Sequence, residues 1–191
     1  MSVAIDYTAS NGEVSDPKSY HFINEKDPEH KNEYEIAMYH VGKVLDTYAY
    51  KHKFMAYGFG GKPEGAADVS HCFPLNGNEN DPSITGLETK EGGKPGLLET
   101  YKDSLSHVQL YGPTLFEPVH KSVIKFVNKM MGLKDIQLYH VLLILTDGCI
   151  HDMRTTIDQI VEGSLLPLSI IIVGIGNADF SIMEILDADN V

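Results

Sequence analysis

The chain has 191 residues, 42% of them apolar, and carries 27 acidic side chains against 15 basic ones, a formal net charge of -12. That length and apolar content suit one domain around one core, spanning residues 1–191. The acid excess, with no Lys/Arg cluster to track a phosphate backbone, argues against nucleic acid as a partner and against unaided attraction to anionic lipid.

In chain order, residues 3–5 read as a short buried strand, and 32–50 as a helix with Ile36, Met38, Tyr39, Val41, Val44, Leu45 and Tyr48 near helical spacing. Residues 53–59 form the next strand, closed by Gly58-Phe59-Gly60-Gly61, and 72–75 a short edge strand. The stretch 76–96, rich in Gly and Pro, reads as a long loop. Helices are expected over 97–110 and 115–131, the second entered through Tyr111-Gly112-Pro113-Thr114. A central strand over 139–146, a helix over 153–164 with Asp152 as N-cap, a strand over 168–174 and a helix over 178–186 complete the chain. Strands alternating with helices predict an α/β fold of the Rossmann-like, doubly wound kind, with a mainly parallel sheet. No apolar run approaches the ~20 residues that span a bilayer, and no basic segment followed by an apolar one opens the chain. Cys72 and Cys149 lack zinc spacing and read as free thiols of a reducing, intracellular compartment.

The first strand runs into Asp6-Tyr7-Thr8-Ala9-Ser10, which places a carboxylate and two hydroxyls at alternate positions. Alternate residues of an extended segment point the same way, so these oxygens can converge on one hard cation past the strand's carboxyl end. Asp147 follows the strand over 139–146 in the same manner, and Thr114, in the turn before a helix, is the natural third hydroxyl. Thr8 and Ser10 are expected to bind directly, with Asp6 and Asp147 holding coordinated waters or orienting the hydroxyls. With few direct carboxylates the ion keeps excess positive charge and stays open to an acidic side chain of a partner. Mg²⁺ suits such a set, and Mn²⁺ or Ca²⁺ can use the same oxygens.

Taken alone, Asp6, Thr8 and Ser10 could as well cap a helix or satisfy a turn. Agreement among three separated segments favours the metal. Gly174-Ile175-Gly176 lacks the third glycine of a dinucleotide fingerprint, Asp179 standing in its place, and Gly58-Phe59-Gly60-Gly61-Lys62 has Pro63 where a phosphate loop needs Ser or Thr. No His pair has zinc-enzyme spacing; His71, His151 and Cys149 are left unassigned near the metal edge.

Ala4-Ile5-Asp6-Tyr7-Thr8-Ala9-Ser10-Asn11-Gly12, Tyr111-Gly112-Pro113-Thr114, Leu145-Thr146-Asp147-Gly148 and the run from Leu166 to Phe180 resemble the von Willebrand factor A domain of copines, nearly end to end. The resemblance implies a metal-ion-dependent adhesion site at Asp6, Thr8, Ser10, Thr114 and Asp147, and a module that binds intracellular proteins and performs no catalysis. It also implies a longer cytoplasmic parent protein that C2 domains, absent from this sequence, recruit to membranes by calcium-dependent phospholipid binding. The last strand and helix of a complete A domain are not in this sequence, so it reads as a piece of something larger. An Mg²⁺-dependent hydrolase or phosphotransferase, using the ion as a Lewis acid, is the competing class, but no nucleophile and base pair is evident. A purely structural domain with a vestigial polar edge is the third. The pattern assigns no oligomeric state.

Overall fold

The computed structural model describes residues 1–24, 26–27, 29–89, 93–133, 138–148 and 150–187. Its elements are β1 (Ser2–Asp6), α1 (Glu33–Asp46), β2 (Lys53–Phe59), β3 (Gly61–Pro63), β4 (Phe73–Pro74), β5 (Ser83–Thr85), α2 (Leu97–Ser104), β6 (Val108–Leu110), α3 (Glu117–Met131), β7 (His140–Thr146), α4 (Met153–Gly163) and β8 (Leu168–Gly174). Short 3-10 turns lie at Ala9–Asn11, Tyr50–His52 and Ser181–Leu186. No helix among the described residues is long and apolar enough to cross a membrane.

The main sheet runs β4-β2-β1-β7-β8, with β5 also on β2. β1 pairs in parallel with β2 and β7, and β7 with β8. β4 and β5 are antiparallel to β2, beside Tyr57-Gly58 and Lys53-Phe54-Met55 respectively. The sheet is therefore mainly parallel and flanked by helices, as the alternating pattern predicts. A parallel strand is buried on both faces, which is why β1, β2 and β7 are continuous apolar runs without alternation. Val3, Ile5, Phe54, Leu143 and Leu145 share one core cluster with Tyr34 and Met38 of α1 and Leu97 and Tyr101 of α2. Ala4, Leu142 and Ile144 face the other way, with Val119, Val123 and Val127 of α3. Each fully buried aliphatic or aromatic side chain contributes about 1.5–3 kcal/mol.

Several boundaries differ from the sequence reading. α1 stops at Asp46 rather than reaching residue 50, and Val44 and Tyr48, expected on its apolar face, are 64% and 83% exposed. α2 ends at Ser104, because Ser104 Oγ donates back to Tyr101 O at 2.6 Å and the chain turns through Ser106 N to Asp103 O. Residues 108–110, expected as helix, instead pair with β3 in a separate antiparallel ribbon. The long loop 76–96 contains β5, and the last helix, expected over 178–186, is a 3-10 turn. Asp152 occupies the N-cap position of α4 as expected, but its side chain makes no cap bond there: the carboxylate accepts Phe116 N at 3.1 Å and Glu117 N at 2.8 Å, holding the start of α3.

Candidate metal centre

β1 reaches β2 through α1 on one side and has β7 on its other side, so the strand order reverses beside β1. Open α/β sheets bind ligands in the crevice outside the carboxyl ends of their strands at such a reversal. Asp6 and Thr146 face each other there, one step past the last register pair, Ile5 with Leu145. Thr146 Oγ1 donates to Asp6 Oδ2 at 2.6 Å. The other carboxylate oxygen, Oδ1, accepts Thr8 N at 2.8 Å and Thr8 Oγ1 at 2.6 Å, with Asn11 Nδ2 at 3.5 Å. Gly60, with φ +74°, lets the end of β2 approach, since a Cβ there would collide with the Thr8 methyl.

Ser10 Oγ donates to Asp147 Oδ1 at 2.9 Å and stands 2.9 Å from Thr8 Oγ1. A hydroxyl has one proton and a carboxylate only accepts. With Thr8 donating to Asp6 and Ser10 to Asp147, the two hydroxyl oxygens face each other with lone pairs and no proton between them. That is the donor set a hard, oxygen-seeking cation fits.

Burial pushes the Asp6 carboxyl above its ordinary range, partly offset by the hydrogen bonds from Thr146 and Thr8. Asp147 is pushed up to about 6, first by burial and then by the charge of Asp6, against the Ser10 hydrogen bond. Neither carboxylate has an ion-pair partner among the described residues. Burial is followed by the Asp6 and Asp147 charges as the cause that holds the Tyr34 phenol well above its usual value.

Asp6 with Thr8 and Asp147 with Ser10 thus form two hydrogen-bonded pairs that meet at the two hydroxyl oxygens. Thr114 is buried on the adjoining loop, after the cis Gly112-Pro113 bond. That loop is stitched to the site by Tyr111 N to Tyr7 O at 3.0 Å and Ala9 N to Tyr111 O at 2.9 Å. The Thr114 backbone meets His151 twice, N to Nδ1 at 3.3 Å and O from His151 N at 2.9 Å, whereas its hydroxyl makes no hydrogen bond to the other four residues. His151 is therefore an acceptor at Nδ1. His71 Nδ1 is buried without a partner among the described residues, and Cys149 lies outside them. Burial raises the Cys72 thiol to about 11, which keeps it protonated and unreactive. The described residues contain no metal-sized cluster of three or more His, Cys, Asp or Glu, so an ion here would rest on hydroxyls and two carboxylates.

Sequence reasoning missed Thr146, Asn11, His21 and Tyr34. Thr146 was legible as the register neighbour of Asp6; the others reach the site only through the packing of α1 and the loop before it.

The copine family model matches residues 19–191, a span that begins past the Asp6 to Ser10 loop. Protein BONZAI 1 of Arabidopsis thaliana is 45% identical over 188 residues, which is 98% of this chain and 30% of that protein. The chain therefore spans less than a third of the length of that relative.

Proposed function

The chain belongs to the copine family, and from that premise we propose that it is a protein-interaction module of the von Willebrand factor A type that binds its partner through a divalent ion. The observation that carries this reading is the pair of hydroxyl oxygens, Thr8 Oγ1 and Ser10 Oγ, 2.9 Å apart with their protons directed to Asp6 and Asp147. Thr8 and Ser10 would hold the ion directly, Asp147 from beside Ser10, and Asp6 would orient Thr8. Thr114 would approach from the loop stitched to Ala9. Mg²⁺ is the ion of choice, with Mn²⁺ or Ca²⁺ as substitutes. When bound, the ion supplies an electrophilic position for an acidic side chain of an intracellular partner. The loops over 11–32 and 76–96 would set which partner fits.

Binding rather than catalysis is favoured because Asp6 is fully buried and already accepts hydrogen bonds at both carboxylate oxygens, so it is poorly presented to a substrate as a base. In a longer cytoplasmic protein, C2 domains would bring this module to membranes by calcium-dependent phospholipid binding.

Calorimetric titration with Mg²⁺, Mn²⁺ and Ca²⁺ tests the site. One saturable site is expected, weakened about tenfold or more in Ser10→Ala. Ser10 is exposed, so this variant removes an oxygen without opening the core. An Asp-containing peptide should then bind only in the ion's presence, and its Asn counterpart not at all. Identical isotherms for wild type and Ser10→Ala would overturn the assignment.

A further inference from the structure

We propose that Tyr34 and Asn11 are positioning residues of this site, a pair that fixes the oxygen array before any ion arrives; the inference rests on the ion-binding reading above. Asn11 is buried immediately after Ser10. Its Oδ1 accepts the Tyr34 hydroxyl at 2.7 Å, while its Nδ2 donates to Thr8 O at 3.0 Å and approaches Asp6 Oδ1 at 3.5 Å. A carboxamide has two ends of the same shape and opposite hydrogen-bond character. Flipped, Asn11 would set its oxygen against the Thr8 carbonyl and the Asp6 carboxylate, three acceptors with no proton among them. The Thr8 and Asp6 acceptors fix which end of the amide is which, and the Tyr34 hydroxyl, donating to Oδ1 from the other end, holds the carboxamide in that place.

Tyr34 is itself held from α1. It lies in the first turn, behind the reciprocal cap in which Glu35 N donates to Asn32 Oδ1 at 2.9 Å and Asn32 N to Glu35 Oε2 at 3.1 Å. Its ring stacks on His21 at 4.2 Å between centroids. His21 Nε2 lies 2.8 Å from the Asp6 carbonyl, which can only accept, so Nε2 carries the proton. Nδ1 then accepts the Tyr101 hydroxyl at 2.7 Å. One chain of contacts therefore runs from the cap of α1 through Tyr34 and Asn11 to Thr8 and Asp6. Buried polar partners of this kind hold the groups that meet a metal in place, and their loss typically costs about 10–100-fold in affinity.

Tyr34→Phe keeps the ring and its stack on His21 and removes only the hydroxyl. Three measurements on the full chain decide the matter: amide hydrogen exchange without metal, thermal unfolding, and Mg²⁺ titration. The Thr8 and Asn11 amides, bonded to Asp6 Oδ1 and Thr8 O, should lose about tenfold in protection while amides of β7 and β8 keep theirs. The Mg²⁺ dissociation constant should rise about tenfold, Asn11→Ala should match it, and the double variant should add nothing further. Unchanged exchange at Thr8 and Asn11 in Tyr34→Phe would overturn the proposal, as would an equal loss across β7 and β8, the mark of a merely structural role. A wild type that binds no Mg²⁺ would sink the ion reading alone, because the metal-free exchange comparison still decides the positioning role.

Discussion

Asp147 and Asp6 are like charges drawn together at the end of two strands, and Asp147 is raised to about 6 by burial and by that neighbour. Its ionised form is disfavoured in the fold. The penalty is full above pH 6 and gone below 3.8, the ordinary value, because protons then bind the folded state first. Screening by the solvent that reaches the site reduces the cost to about 1 kcal/mol. Asp147→Asn should therefore stabilise the ion-free protein by about 1 kcal/mol at pH 7 and give no advantage at pH 4, read as urea midpoints in EDTA. The same variant should lose the rise in melting temperature that Mg²⁺ gives the wild type. A gain of equal size at both pH values would mean that the charge pair is not its source. One substitution thus separates stability from ion binding, with opposite signs.

At the scale of elements, Asp152 belongs to the entrance of α4 in sequence and to the start of α3 in space. Its carboxylate serves two amides of α3 that lack intrahelical partners, where the helix dipole also favours negative charge. Asp152→Ala should cost about 1–3 kcal/mol by denaturant unfolding, since two donors are left without a partner. A loss below the error of the measurement would place the hold on α3 elsewhere. This residue also shows where sequence reading ends. Its type marked a helix cap, but which helix it caps is decided by a contact 35 positions away. The long parallel strands were legible because burial on both faces leaves an apolar run; β3, β5 and β6 were not, being three residues each with no room for a period. Likewise Asp6, Thr8 and Ser10 announce their convergence by spacing along one strand, and Asp147 by ending another. Tyr34 looks like any other apolar position of an amphipathic helix, and nothing local to it points at Asn11.

Across the whole molecule, buried histidines and raised carboxyls pull stability in opposite directions with pH. Burial lowers His140 to about 3 and His21 to about 4. For His140 the reason is visible: Nε2 meets Ser2 Oγ at 2.9 Å, while Nδ1 is buried with no partner among the described residues, so an added proton has no acceptor. Unfolded, both rings titrate near 6.5. Between that value and their folded values the unfolded chain binds more protons, so stability falls as pH falls, by about 1.4 kcal/mol per pH unit for each ring. Asp147, raised rather than lowered, acts with the other sign between about 6 and 3.8 and masks part of the decline. Removing it in Asp147→Asn should therefore steepen the loss of stability from pH 6 to pH 4 relative to wild type. In both proteins the ring signals of His21 and His140 should hold still by NMR down to pH 5. Midpoints near 6.5 for either ring would show that water reaches it in the folded state and that acid sensitivity arises elsewhere. The carboxylate edge is thus coupled to the rest of the molecule through protons as well as through Tyr34: whatever occupies or neutralises it removes the contribution that opposes the histidines' acid response.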